Sequence, residues 1–390
     1  MERRLDKPPR LPRPRSIVES YEGLPDPRLD RTRAHGLSDI LVVGLCSMLA
    51  GCDSLTDMEF FGRRHLAWFK TFLKLPNGIP SHDTFNRVFS AIDPHRFMEC
   101  LVDWVQGVCS TLDGDIVAID GKALRRAVEA GKPIPYIVSA WATEHGLALG
   151  QVQVDEKSNE ITAVPKLLRI LALQGGIVTL DAMGCQKEIA AQIVDKGADY
   201  VLSLKGNQGI ARKEFTQYFD FVLSPTAPGA RPERKAKERT LSSYRTVETG
   251  HGRTETRHYW QSTDIAWFQN RKLWKGLQSI GMVKSTRTIN SKRSTERRYY
   301  ISSLPLDARQ FARAVRGHWG VENPLHWSLD VTFREDQCRA RSGHAAQNLA
   351  TLRRLALNML KNDKTEKLSI RQKRMLAAMD LDYLKCLIGV

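Results

Sequence analysis

The sequence predicts an α/β protein: a mixed sheet with helices on its faces, interrupted by a β-rich insertion and preceded by a small helical domain. Three observations carry this. Between Asp115 and Leu204, short apolar runs of strand length mix with helical spacing in the order strand-strand-strand-helix-strand-helix-strand. From about 209 to 303 that order gives way to four strand-like runs. Ahead of it all, from Leu37 to about Gly107, apolar residues recur only at helical spacing.

Taken in order, residues 1–30 are rich in Pro and Arg and read as a flexible basic arm. A helical domain follows over 31–110. Leu37 to Leu41 opens one apolar helix and Asp57 to Phe61 continues into another. Pro80 to Phe89 reads as a turn entering a helix, with Ser81 as its cap and Asp83 at its positive end. Short helices joined by tight turns suit DNA binding or an accessory role. The main domain spans 111–365. Its first strand is Ile116 to Asp120, and a hairpin follows over Tyr136 to Thr143 and Leu147 to Val154, turning at Glu144-His145-Gly146. Asn159 caps a helix over Ile161 to Leu173; Ile177 to Leu180 is strand four, Gln186 to Val194 a helix, and Tyr200 to Leu204 strand five. In the insertion, a basic loop over 231–239 precedes strands at Tyr244 to Thr249, Arg253 to Gln261, Leu277 to Ser285 and Arg298 to Ser303. Helix resumes at the cap Asp307, with Phe311, Val315 and Glu322 on one stripe. Ala345 to Lys361 forms a last helix with Leu349, Leu352, Leu355 and Met359 at core spacing, and 366–390 is left as a tail.

Composition narrows the function. A formal charge of +16 and a pI near 9.6 favour a polyanionic partner. A membrane is a poor candidate, because the longest apolar stretch, around Ile40 to Ala50, is too short to span one. The first residues show no apolar signal core, so the expected location is the cytoplasm, with the nucleoid. Seven cysteines without C-x-x-C spacing indicate reduced thiols, with neither a disulfide framework nor a structural zinc site.

A hairpin followed by βαβ units gives a mixed sheet, and in the ribonuclease-H-like arrangement of this order strands one and four lie side by side. Asp120 ends strand one and Asp181 follows strand four, so both reach the carboxyl edge where open α/β sheets hold ligands. Carboxylates there are costly unless a cation meets them. With Glu322 they make a set of three hard oxygen donors, suited to two Mg²⁺ or Mn²⁺ ions about 4 Å apart. Asp120 would bridge both ions. Asp155, Asp330, Glu335 and Asp336 are rival acids, placed farther from the centre or past Pro324. His318, Glu322 and His326 fall four apart and could be read as a zinc face, which Pro324 distorts. His318 is better placed to approach a phosphate or orient Glu322, or simply to pack. Lys205, Asn207 and Gln208 leave strand five on the same edge, where the lysine can meet a phosphate and the amides a base or sugar. The plain alternative is a Gly-Asn turn with a surface lysine. Arg253 and Arg257 share a strand face with Glu255 and can line DNA, or form a solvent face.

At these residues the chain resembles the DDE transposases of bacterial insertion sequences, within the ISAs-type branch that includes the H-repeat-associated proteins. The matching stretches include Pro80 to Phe85, Ala118 to Lys122, Ser158 to Ile161, Thr179 to Gly184, Leu204 to Gln208, His251 to Arg257, His318 to Asn323, Leu325 to Trp327 and Leu352 to Asn358. The resemblance runs from roughly residue 20 to 365. It implies a ribonuclease-H-like catalytic core, an N-terminal associated domain, Asp120, Asp181 and Glu322 as the metal-binding triad, and cutting at inverted-repeat ends followed by joining to target DNA. One departure stands out. Related transposases carry a Tyr-Arg-Glu-Lys signature around the glutamate, whereas His318 lies four before Glu322 and Leu329 seven after it. Arg316 and His318 are the substitutes for the missing phosphate contacts.

The expectation is therefore a Mg²⁺-dependent DNA transposase acting on double-stranded DNA as at least a homodimer. A nuclease without strand transfer, or a transposase-derived DNA-binding protein that no longer cuts, are the alternatives.

Overall fold

The computed structural model describes residues 17–109, 111–127, 134–154, 159–224, 240–250, 252–290 and 292–390. Residues 1–16 of the expected arm over 1–30, the basic loop over 231–239 and the rival acid Asp155 lie outside the described residues; the rest of the arm departs from the expectation, since Ile17–Glu22 is a helix that buries Ile17 and Tyr21. The chain divides into two compact units, Thr111–Arg339 and the pair of segments Met1–Ser110 and Ala340–Val390.

Unit Thr111–Arg339 is built on one nine-stranded mixed sheet. Its strands are β1 (Ile116–Ala123), β2 (Tyr136–Ala142), β3 (Leu147–Val154), β4 (Ile177–Leu180), β5 (Asp199–Leu204), β6 (Leu241–Gly250), β7 (Arg253–Ser262), β8 (Ser279–Ile289) and β9 (Lys292–Ser302). They lie in the order β3-β2-β1-β4-β5-β9-β8-β7-β6. The first five reproduce the expected ribonuclease-H-like order: β2 runs antiparallel to its neighbours, and β1, β4 and β5 run parallel. Ile116–Ile119 and all of β4 are buried, as central parallel strands covered on both faces must be. The hairpin turns at Gly146, whose φ of +69° explains the glycine. Asn159 and Asp307 act as the expected caps, each accepting backbone N–H bonds from the first turn of its helix.

The four strands of the insertion continue the sheet, because β9 pairs antiparallel with β5, from Val201↔Ser302 to Leu204↔Tyr299. The edge that β5 would otherwise expose is thereby covered. Helix Ala308–Gly317 then packs across the added strands, with Phe311 edge-on to Tyr259 and Tyr300.

The second unit is helical, and it corrects the expected domain ends. Helices Ala345–Asn362, Ile370–Met379 and Leu381–Ile388 belong with Leu37–Leu49, Leu55–Arg64, His82–Ala91 and Pro94–Val108, so 366–390 is not a tail and 345–365 does not close the sheet domain. Hydrogen bonds to helix ends supply the reason. Asn348 Nδ2 donates to the Phe89 and Ile92 carbonyls at 2.8 and 2.9 Å, satisfying the end of His82–Ala91. The Arg374 guanidinium donates to the Met48 carbonyl at the end of Leu37–Leu49 and to Asp53 Oδ1 at 2.7 Å. Lys373 Nζ does the same for Ala345–Asn362, through the Leu360 carbonyl and Asp363. Among the described residues no helix is long and apolar enough to cross a membrane.

Because Arg374 and Asp53 form a largely buried pair, Arg374→Ala removes one donor from a carboxylate and from a helix end. Urea denaturation should show a loss of about 3 kcal/mol. A loss under about 0.5 kcal/mol, the range of an ordinary surface substitution, would mean the C-terminal helices are not needed by this unit.

Candidate active site

The geometry starts from β1 and β4. Their register runs from Ile116↔Ile177 to Ile119↔Leu180, so the next residue on each chain is an aspartate, Asp120 beside Asp181. Asp120 does not end its strand, as expected; β1 continues to Ala123 against β2 alone, with Asp120 opposite Ser139. Beyond β4 the chain turns at once, and Asp181 Oδ1 accepts the Met183 N–H at 2.9 Å.

Glu322 arrives from the far side. Helix Ala308–Gly317 runs on through a single 3₁₀ turn, His318–Gly320, into a π-helical stretch, Val321–Thr332. Gly317 lets this run lie against β1, since a Cβ there would stand 2.7 Å from Ile116 Cδ1, and its carbonyl accepts the Thr143 hydroxyl. Pro324 has no N–H to give and crowds the carbonyl four residues back; the widened π spacing accommodates it. The stripe expected from the sequence leaves the core at Phe311 and opens into a cavity with Val315, His318 and Glu322.

One cavity is lined by Asp120, Asp181 and Glu322, with Lys205, Glu296, Arg298, His318 and Trp319 around them. Burial, followed by Glu160, Glu322 and Asp181 as like charges, pushes the Asp120 carboxyl up to about 6, against a hydrogen bond from Gly121. Glu160 is a fourth carboxylate near Asp120 that the sequence did not single out as a site residue. Gly121 makes room for it, because a Cβ there would stand 2.6 Å from Glu160 Oε1.

The rival acids have a different fate. Lys122, two residues past Asp120, reaches Asp330, Glu335 Oε2 at 2.8 Å and Asp336 Oδ1 at 3.7 Å. These three acids are thus gathered on one largely buried ammonium, whereas Asp120, Asp181 and Glu322 make no ion pair with Lys or Arg among the described residues. His326 Nδ1 stands 3.8 Å from Asp120 Oδ2. Among the described residues, no group of three or more His, Cys, Asp or Glu side chains is placed to hold an ion as it stands. The donor chemistry nevertheless fits a hard divalent cation: three carboxylates on one cavity with no protein cation between them.

Several expected DNA contacts are engaged elsewhere. Asn207 Nδ2 donates to the Ala182 carbonyl and Gln208 Nε2 to the Cys185 carbonyl at 3.1 Å, so their donors hold the loop after Asp181. Arg257 is bound by Glu248 at 2.9 Å and Glu255 at 2.7 Å, and Arg316 by the other oxygen of Glu248 at 3.2 Å. Arg316 does not line the cavity. His318 does, but its Nδ1 pairs with Thr179 Oγ1 at 3.0 Å, and burial pushes the ring down to about 4. It is neutral near pH 7 and brings no charge to a phosphate. The alternative reading of a zinc face is not supported among the described residues, since His318 meets Thr179 at β4 while His326 stands beside Asp120 on β1. Lys205 and Arg253 remain exposed. The cavity's other cation, Arg298, comes from the insertion, gripped by both oxygens of Glu296 and stacked over Trp319. Sequence analysis placed Arg298 only at the start of a strand, because the β5–β9 pairing that brings it here is remote in sequence.

Comparison with known proteins agrees with this architecture. A model of the transposase DDE domain matches residues 112–359, and a model of the domain associated with it matches 18–105. The chain belongs to the DDE transposase family. The H repeat-associated putative transposase YhhI of Escherichia coli K12 is 40% identical over 382 residues, covering 96% of this chain and 98% of its own. The putative transposase YncI of Escherichia coli O157:H7 is 39% identical over 376 residues, covering 95% and 93%. A structure titled as the piggyBac transposase synaptic complex with hairpin DNA aligns at a TM-score of 0.44 and 11% identity over 96% of this chain and 77% of that one, too low for fold or function to be read from it.

The crowding of negative charge has a measurable consequence in the metal-free chain. A carboxyl whose folded pKa lies above its unfolded value makes the fold less stable as pH climbs between the two. For Asp120 that window runs from about 4, its unfolded value, to about 6. In EDTA, Asp120→Asn should therefore gain about 1–2 kcal/mol above pH 6, discounted for partial exposure, and gain nothing below pH 4. An equal effect at both pH values would show that Asp120 carries no such strain.

Proposed function

We propose that the chain is a DNA transposase that cuts at the ends of an insertion sequence and joins the freed 3′ ends to target DNA. In this reading Asp120, Asp181 and Glu322 hold two Mg²⁺ or Mn²⁺ ions. The observation that supports it most is the β1–β4 register, which brings two carboxylates with no Lys or Arg partner among the described residues to one sheet edge, beside a third on the same cavity. Divalent ions held there would make an attacking water or 3′-hydroxyl more acidic and offset charge on the transferring phosphate.

The rest of the work falls to the chain. Asp120, electrostatically coupled to both Asp181 and Glu322, is the carboxylate best suited to be shared between two ions. Lys205 and Arg298 offer cations to the phosphates of the strand being cut, from the wall formed by β5 and β9. Trp319 keeps the Arg298 guanidinium at the rim by stacking. Arg253, exposed on β7, extends the basic surface along the duplex. Transposition brings two element ends together, so the acting form is at least a dimer on DNA.

Asp120→Asn and Glu322→Gln should each abolish cleavage of an element-end duplex in Mg²⁺ while leaving its affinity within about twofold. Full cleavage by either variant would refute the triad. Wild-type protein that nicks but never joins a 3′ end to a target would instead be a nuclease.

Binding itself should be strongly electrostatic, as the charge of +16 implies. Raising salt from 50 to 200 mM should weaken it by about 10³-fold or more if six or more phosphates are contacted. A flat salt response would remove the argument from charge.

A further inference from the structure

The loop after β4 is bracketed by two amides from a neighbouring turn. β5 ends at Leu204 beside the end of β4, and the chain then makes the short 3₁₀ turn Gly206–Gln208. From that turn Asn207 Nδ2 reaches the Ala182 carbonyl, one residue past Asp181. Gln208 Nε2 reaches the Cys185 carbonyl at the loop's other end. Inside the bracket, Met183 N–H donates to Asp181 Oδ1 and Cys185 N–H to the Ala182 carbonyl. The Asp181 carboxylate is therefore aimed by its own loop, and the loop is held by Asn207 and Gln208. Gly184 leaves that loop little freedom to settle elsewhere, since a Cβ there would stand 2.8 Å from Leu180 Cδ2.

The geometry points to Asn207 and Gln208 as positioning residues that set Asp181 for metal binding, in place of the base or sugar contacts their location first suggests. This rests on the metal reading of Asp120, Asp181 and Glu322. Each amide nitrogen is a donor whose loss turns an attraction into repulsion: in Asn207→Asp or Gln208→Glu, a carboxylate oxygen would face a carbonyl oxygen at hydrogen-bond distance. The loop would swing away and carry Asp181 with it. The consequence belongs to the ion, because partners that orient a metal ligand typically govern affinity by 10–100-fold. DNA affinity, carried by exposed cations elsewhere, should not follow.

The test is Mn²⁺ binding by calorimetry on the full chain without DNA, for wild type, Asn207→Asp, Gln208→Glu and Asp181→Asn, each first matched to wild type in its thermal melt. Both amide variants should bind Mn²⁺ at least tenfold more weakly, while binding an element-end duplex in EDTA within twofold of wild type. Two variants keep the outcome readable should one fail to fold. Unchanged Mn²⁺ affinity in both amide variants, with a loss in Asp181→Asn, overturns the positioning role alone. Tenfold weaker DNA binding in EDTA with Mn²⁺ affinity intact overturns it in favour of direct DNA contact. Unchanged Mn²⁺ affinity in Asp181→Asn brings down the metal reading, and this inference with it.

Discussion

The structure turns on the parallel pairing of β1 with β4. Ile119 opposite Leu180 is the last matched pair, and the four paired residues of each strand are buried. The sheet brings the backbones of the two following aspartates side by side, and the loop after β4 then aims the Asp181 carboxylate. Slippage of one residue in this register would turn an aspartate into the apolar face. The apolar runs that specify the register thus also specify the separation of the two acids.

Negative charge is then handled in two opposite ways within a few residues. Lys122 draws Asp330, Glu335 and Asp336 around it, with the Glu335 side chain fully buried. That is the arrangement by which a fold accommodates acids it does not expose to chemistry. Asp120, Asp181 and Glu322 receive no such lysine or arginine among the described residues, and burial together with the neighbouring carboxylates raises the Asp120 carboxyl to about 6. The two sets of acids thus differ in whether the chain itself supplies their cation.

Much of this was legible in the sequence because its signals are local. Period-two and period-3.6 apolar patterns gave β3 and β4 with their full bounds, and Asn159 and Asp307 as caps, since capping depends on the next two or three residues. What escaped was every feature set by a distant partner. The β5–β9 pairing joins residues about a hundred apart, so nothing local placed the insertion beside β5 or Arg298 at the acidic edge. The C-terminal helices looked like a tail because their anchors, Arg374 to Met48 and Lys373 to Leu360, are hydrogen bonds that no periodicity announces. The same blindness made Asn207 and Gln208 resemble DNA contacts: polar residues at a ligand edge look alike from sequence whether they face the ligand or the loop behind it.

The insertion gains a different meaning once β9 is seen as the neighbour of β5. It is not an appendage hung from the first five strands but a wall of the cavity that the acids line, and it brings Arg298, Glu296 and Tyr300 to it. The helix that carries Glu322 packs on this same wall, with Phe311 filling the space that Gly281 leaves on β8 and Trp319 meeting Arg298. Glu322 is consequently located by contacts on both sides, β1 through Gly317 and the added strands through Phe311 and Trp319. The third acid, about two hundred residues from the first, needs the insertion to find its place.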